Sequence, residues 1–99
     1  MRAAVIKRPG VVVVEDVPKP EPGPGEVLLR VEACALCGTD QRVFNGEKRV
    51  DVRIVGHEIV CRAEALGAGA EKAELGGRYA VQTVIGCGNC PMCGIHREN

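Results

Sequence analysis

Aromatic side chains are almost missing from this chain: Phe44 and Tyr79 are the only two, and there is no tryptophan. A surface that stacks nucleic-acid bases needs more rings than that. Charge of one sign is missing too. Thirteen Lys and Arg balance thirteen Asp and Glu, so no basic excess exists to hold a phosphate backbone, and nucleic acid is excluded as a partner. Long apolar runs are absent. The longest aliphatic stretch is Val11-Val12-Val13-Val14, far below the ~18 residues of a membrane-spanning helix. Ala3-Ala4-Val5-Ile6 is stopped by Lys7-Arg8-Pro9, too early for a signal-peptide core. The expectation is a cytoplasmic chain without a membrane partner. A dinucleotide fingerprint is lacking as well. Gly67-Ala68-Gly69 begins like one, but Lys72 stands where the third glycine belongs and no βαβ pattern follows.

What is present is a single domain's worth of chain, 99 residues and 10.5 kDa. At 45% hydrophobic and 26% charged it reads as globular. Thirteen glycines and six prolines point to a turn-rich, mainly β fold. Strands are expected over 1–7 and 11–17 around a Pro9-Gly10 turn. The alternating prolines of Pro18–Gly25 form an extended connector, since they can neither pair as a central strand nor continue a helix. Glu26–Ala35 alternates, with Val27, Leu29, Val31 and Ala33 on one face. Thr39 or Asp40 is expected to cap a short helix over 41–44, closed by Asn45-Gly46. Residues 53–66 are strand-like with a break at Gly56-His57-Glu58. Residues 78–85 form another strand, and 86–99 a Cys- and Gly-rich loop. Several short strands with Gly/Pro turns suggest a small, partly open barrel.

The sharpest motif lies in that loop. Cys87-x-x-Cys90-x-x-Cys93 has gaps that let neighbouring thiols converge on one tetrahedral ion, with Gly86, Gly88, Pro91 and Gly94 turning the chain around it. A closed structural zinc site needs four ligands. His96 is one candidate for the fourth, and a residue beyond Asn99 is the other. An iron–sulfur motif with this spacing would bring a fourth cysteine soon after, and none comes. In a reducing compartment six cysteines read as metal ligands or redox groups before structural disulfides. Cys34 and Cys61 lie in strand-like runs without partners at metal spacing and read as buried, inert thiols.

A second constellation is Cys37, Thr39, Asp40, His57 and Glu58. A thiolate and an imidazole are two of the three protein ligands of an open catalytic zinc. Glu58 and Asp40 are candidates for direct ligation or for orienting the imidazole. The Thr39 hydroxyl can pass a proton from a metal-bound alcohol. By spacing alone, a Cys and a His twenty apart are commonly unrelated, and the histidine reads as a partly buried structural one.

The order Pro20-x-Pro22-Gly-Pro24-Gly-Glu26-Val27, Cys37-Gly-Thr39-Asp40, Gly56-His57-Glu58, Cys87-Gly-x-Cys90-x-x-Cys93 resembles the N-terminal part of the zinc-dependent medium-chain alcohol dehydrogenases, which include alcohol, sorbitol and threonine dehydrogenases. The resemblance implies a GroES-like, partly open β-barrel with one short helix and a Cys-rich zinc loop, spanning 1–99 as an incomplete catalytic domain. It implies Cys37 and His57 as catalytic zinc ligands, with Glu58 able to approach or replace a ligand. Thr39 becomes the relay hydroxyl, and Asp40 the carboxylate behind the histidine. Cys87, Cys90 and Cys93 become three of four structural-zinc ligands. NAD or NADP would bind a Rossmann domain that these 99 residues lack, in a longer form that assembles as a homo-oligomer and oxidises a small alcohol or polyol. The 99 residues alone are expected to be inactive. Two departures stand out. Cys61 replaces a usual glycine and should crowd its strand, and Gly77 replaces the aspartate of Gly-Asp-Arg-Val and should loosen the turn. Two other functions compete: a stand-alone zinc-binding barrel using His96, and a thiol redox protein using the loop cysteines or Cys34-Ala-Leu-Cys37.

Overall fold

The computed structural model describes residues 1–51 and 53–95. Five strands and two short helices follow the order β1 (Arg2–Arg8), β2 (Val11–Asp16), β3 (Val27–Ala35), α1 (Gly38–Phe44), β4 (Glu58–Leu66), β5 (Arg78–Ala80) and α2 (Pro91–Gly94). They form two antiparallel sheets, β1-β2 and β3-β4-β5. Among the described residues the sheets do not pair with each other, so the barrel is open between β2 and β3.

β1 and the Val-rich β2 close through the Pro9-Gly10 turn, where Gly10 takes φ +76°. Their far ends are tied by Val17 N–H donating to the Met1 carbonyl at 2.8 Å. The proline connector then runs to β3 and docks on the loop after β4. There Gly25 N–H donates to the Ala68 carbonyl at 2.7 Å and Gly67 N–H to the Glu26 carbonyl at 2.8 Å. A Cβ on Gly67 would sit 1.9 Å from the Gly23 carbonyl oxygen, so only glycine allows this approach.

The alternation expected along β3 does not hold: Val27, Leu28 and Leu29 are all half-buried, whereas Val31 is 56% exposed. Bulges between Leu28 and Leu29 and between Val31 and Ala33 break the two-residue period. β5 stops at Ala80 instead of reaching residue 85: after the last ladder pair, Val60 with Ala80, one more backbone bond follows, from Val81 N–H to the Ile59 carbonyl at 3.0 Å. The Cys-rich segment is not wholly irregular, since Pro91 starts a four-residue helical turn. Glu32 bridges the three-stranded sheet. It accepts from Arg62 Nε at 2.7 Å and Arg78 Nε at 2.9 Å, and these guanidinium groups, Arg62 first, hold its carboxyl below the usual range.

Both departures are accommodated. Cys61 is fully buried, and its thiol donates to the Tyr79 carbonyl on β5 at 3.4 Å; it tightens β4 onto β5 where crowding was expected. At residues 74–77 the Tyr79 hydroxyl takes over the turn, accepting from Glu74 N–H at 2.7 Å. A Cβ at Gly77 would meet that hydroxyl at 2.9 Å and the Glu74 carbonyl at 2.8 Å. With Tyr79 placed this way, the turn leaves no room for a side chain at residue 77. The buried apolar residues are few: Val5, Val43, Cys61, Ala63 and Ala70.

Candidate metal centres

The register of β3 against β4 builds the first site. Ala35 pairs with Glu58, so the residues just past the end of β3 and just before β4 lie side by side. This brings Cys37 and His57 together across twenty residues. The Cys37 sulfur stands 3.1 Å from His57 Nε2.

Cys37, not Thr39 or Asp40, is the N-cap of α1. Its extended backbone (φ −113°, ψ 174°) precedes the helix, and its sulfur accepts from Thr39 N–H at 3.2 Å. Asp40, at the third helical position, reaches back and accepts from Cys37 N–H at 3.1 Å. The pair is a capping box in which sulfur replaces the usual hydroxyl. The i, i+3 spacing of Cys37 and Asp40 was the sequence signal for it, obscured because cysteine is not a customary cap. Asp40 is only 5% exposed. Its other oxygen, Oδ1, faces His57 Nδ1 at 3.7 Å. The imidazole thus presents Nε2 to the thiol and Nδ1 to a carboxylate, the orientation that suits a metal-ligating histidine held by a carboxylate behind it.

Gly56 positions the histidine. Its φ of +127° is closed to other residues, and a Cβ there would lie 2.7 Å from the Cys34 sulfur. Cys34 is exposed, not buried, because none of the described residues covers this end of β3. Its contact with Gly56 was invisible in the sequence. One ligand atom each from Cys37, Asp40 and His57 lies within 4.8 Å of the others. Thr39 is exposed beside them on α1, and Glu58 is exposed at the start of β4, outside that cluster.

The second site is the loop. The sulfurs of Cys87, Cys90 and Cys93 lie within 4.8 Å of one another, with Cys90 to Cys93 at 3.5 Å and Cys87 to Cys93 at 3.8 Å. The Cys90 thiol is lowered to about 7, chiefly by the backbone N–H of Cys93 at its sulfur and then by the neighbouring thiols of Cys93 and Cys87. His96 lies outside the described residues. The donor chemistry fits zinc at both places: three converging soft sulfurs in the loop, and one sulfur with one imidazole nitrogen at the first site.

Fold and sites together define a small open barrel with a thiol–imidazole–carboxylate cluster and a separate cysteine loop, each with the donor atoms for a metal ion. Residues 23–99 match the alcohol dehydrogenase GroES-like domain family, and the chain belongs to it. It is 41% identical over 90 residues to L-threonine 3-dehydrogenase of Pyrococcus horikoshii, covering 85% of this chain and 25% of that protein. The crystal structure of a short chain alcohol dehydrogenase (rspB) from Escherichia coli CFT073 complexed with NADH superposes with a TM-score of 0.87 at 33% identity. That match covers 99% of this chain and 29% of the other. The cobalt- and zinc-bound thermostable alcohol dehydrogenase from Pyrobaculum aerophilum gives 0.92 at 30% identity, covering 99% and 31%. The chain spans about 30% of the length of the curated relatives it matches.

Proposed function

We propose that these 99 residues are the N-terminal zinc-binding part of a cytoplasmic, NAD(P)-dependent alcohol or polyol dehydrogenase that oxidises an alcohol to a carbonyl. The observation that carries this reading is the Cys37–His57–Asp40 arrangement at the junction of β3, α1 and β4. The names of the relatives support it, and six cysteines without a disulfide agree with a reducing compartment.

Zinc, when bound, supplies Lewis-acid polarisation of the substrate oxygen. Cys37 and His57 hold it, the thiol from the cap of α1 and the imidazole through Nε2. Asp40 fixes the imidazole and keeps the proton on Nδ1. Thr39, exposed one turn-edge away from Cys37, offers its hydroxyl to take the alcohol proton. Glu58, beside His57 in sequence, is a reserve carboxylate ligand. Cys87, Cys90 and Cys93 hold a second, structural zinc that takes no part in proton transfer. Hydride acceptance belongs to the nicotinamide, which binds a part of the longer polypeptide.

The test is Cys37→Ala in the polypeptide that carries these residues. The expected outcome is loss of one of two zinc equivalents and of alcohol-dependent NAD(P)H production, with the loop's zinc retained. Retained turnover, or equal loss of both metals, refutes the reading.

A further inference from the structure

The dehydrogenase reading leaves the loop cysteines with a purely structural task, yet their geometry supports a chemical one. Cys90-Pro91-Met92-Cys93 is a Cys-x-x-Cys segment folded as a single helical turn. Cys90 is the cap, with extended backbone (φ −97°, ψ 162°), and Pro91 is the first helical residue. Gly94 N–H closes the turn onto the Cys90 carbonyl at 3.1 Å. The turn sets the Cys90 and Cys93 sulfurs 3.5 Å apart. No change of fold is needed for them to meet, since the two thiols already point at each other within a four-residue turn. The segment is open to attack from solvent: Cys87 is exposed, Cys90 and Cys93 are half-buried, and the flanking Ile85, Met92 and Ile95 are exposed apolar groups. Cys34, Cys37 and Cys61 lack this pairing. Cys37 is turned to His57, Cys34 to Gly56, and Cys61 is sealed under β5.

We infer that the metal-free loop is a dithiol–disulfide exchange site in which Cys90 and Cys93 are the reacting pair. The co-reactant is a small disulfide such as oxidised glutathione. The Cys90 sulfur attacks one sulfur of that disulfide, forming a mixed disulfide and releasing one thiol. The Cys93 sulfur then attacks the Cys90 sulfur, displacing the second thiol and closing a Cys90–Cys93 bond. Two protein thiols are oxidised by two electrons, one disulfide is reduced to two thiols, and the two protein protons leave with them. Bound zinc would occupy both sulfurs, so the loop would alternate between a metal-holding reduced form and an oxidised form unable to take metal. The exchange itself rests on the sulfur geometry and stands or falls independently of the dehydrogenase reading; only the zinc-protection step shares the loop's assignment as a zinc site.

The experiment strips the 99-residue chain with a chelator, exposes it to oxidised glutathione, alkylates free thiols and maps the peptides by mass. The expected result is loss of two of the six thiols as a Cys90–Cys93 link, with Cys34, Cys37, Cys61 and Cys87 alkylated. Cys93→Ser should halt the reaction with glutathione held on Cys90, whereas Cys87→Ser should still close the link. Zinc added first should suppress the reaction at least tenfold. A stable glutathione adduct without closure in the unaltered chain overturns the proposal. So does a link that uses Cys87 or Cys34, while an oxidation rate indifferent to zinc overturns the alternation between metal-holding and oxidised forms.

Discussion

Asp40→Asn separates the two tasks of one buried carboxylate. Oδ2 of Asp40 accepts the Cys37 N–H at 3.1 Å, and Oδ1 faces His57 Nδ1 at 3.7 Å. Asparagine keeps the shape and one acceptor, so the Cys37 N–H stays satisfied and folding stability should change by less than about 1 kcal/mol. Its amide nitrogen then faces His57 Nδ1–H, donor against donor, and the negative charge behind the imidazole is gone. Removing such a partner costs ~10–100-fold in metal affinity, or about 1.4–2.7 kcal/mol. Asp40→Ala goes further, because the half-buried Cys37 N–H loses its acceptor and α1 loses its capping box, worth roughly 2 kcal/mol of stability. The assay is a zinc titration against a chromophoric chelator in a Cys90→Ser background, so that only the first site reports, paired with urea melts in excess chelator. The reasoning is refuted if Asp40→Asn binds zinc as tightly as the parent, or if it loses as much stability as Asp40→Ala.

Three further outcomes follow from the structure. Cys61→Gly, restoring the residue usual in the family, should cost about 2 kcal/mol in a urea melt, since it empties a fully buried position and removes the bond to Tyr79. Gly77→Asp should destabilise the chain by about 1–3 kcal/mol, because its Cβ meets the Tyr79 hydroxyl and the Glu74 carbonyl. Adding Tyr79→Val should recover part of that loss, and purely additive effects would show that the two positions are not coupled. The Cys90 thiol, held near 7 by the Cys93 N–H, should alkylate at a rate that climbs through about pH 7 and then levels off. The stabilisation from its depressed value is complete above the ordinary thiol range near 9 and disappears as pH falls through about 7. A Cys90 rate still climbing at pH 9 would contradict this.

Much of the chemistry was legible in residue order. The cysteine loop, the Cys37/His57 pair and the proline connector are local patterns whose meaning depends on spacing. Strand positions followed from β-branched runs and Gly/Pro breaks, because those preferences act over a few residues. Pairing across the chain was beyond that reach. Whether Cys37 and His57 share a site depends on Ala35 standing opposite Glu58, a register decided by two bulges and the packing of whole strands. The cap of α1 was misplaced because a sulfur serves where a hydroxyl usually does. Cys34 and Cys61 both read as buried from their strand-like runs; Cys61 is, under β5, but Cys34 is exposed because nothing among the described residues covers that end of β3. The turn at Gly77 holds through the ring of Tyr79, a contact between side-chain volume on one residue and its absence on another. Sequence alone determined the donor atoms, since ligand chemistry is carried by side-chain type and local spacing. Tertiary structure alone decided which donors face one another and which carboxylate stands behind the histidine, because distances between remote residues arise only when the strands have paired.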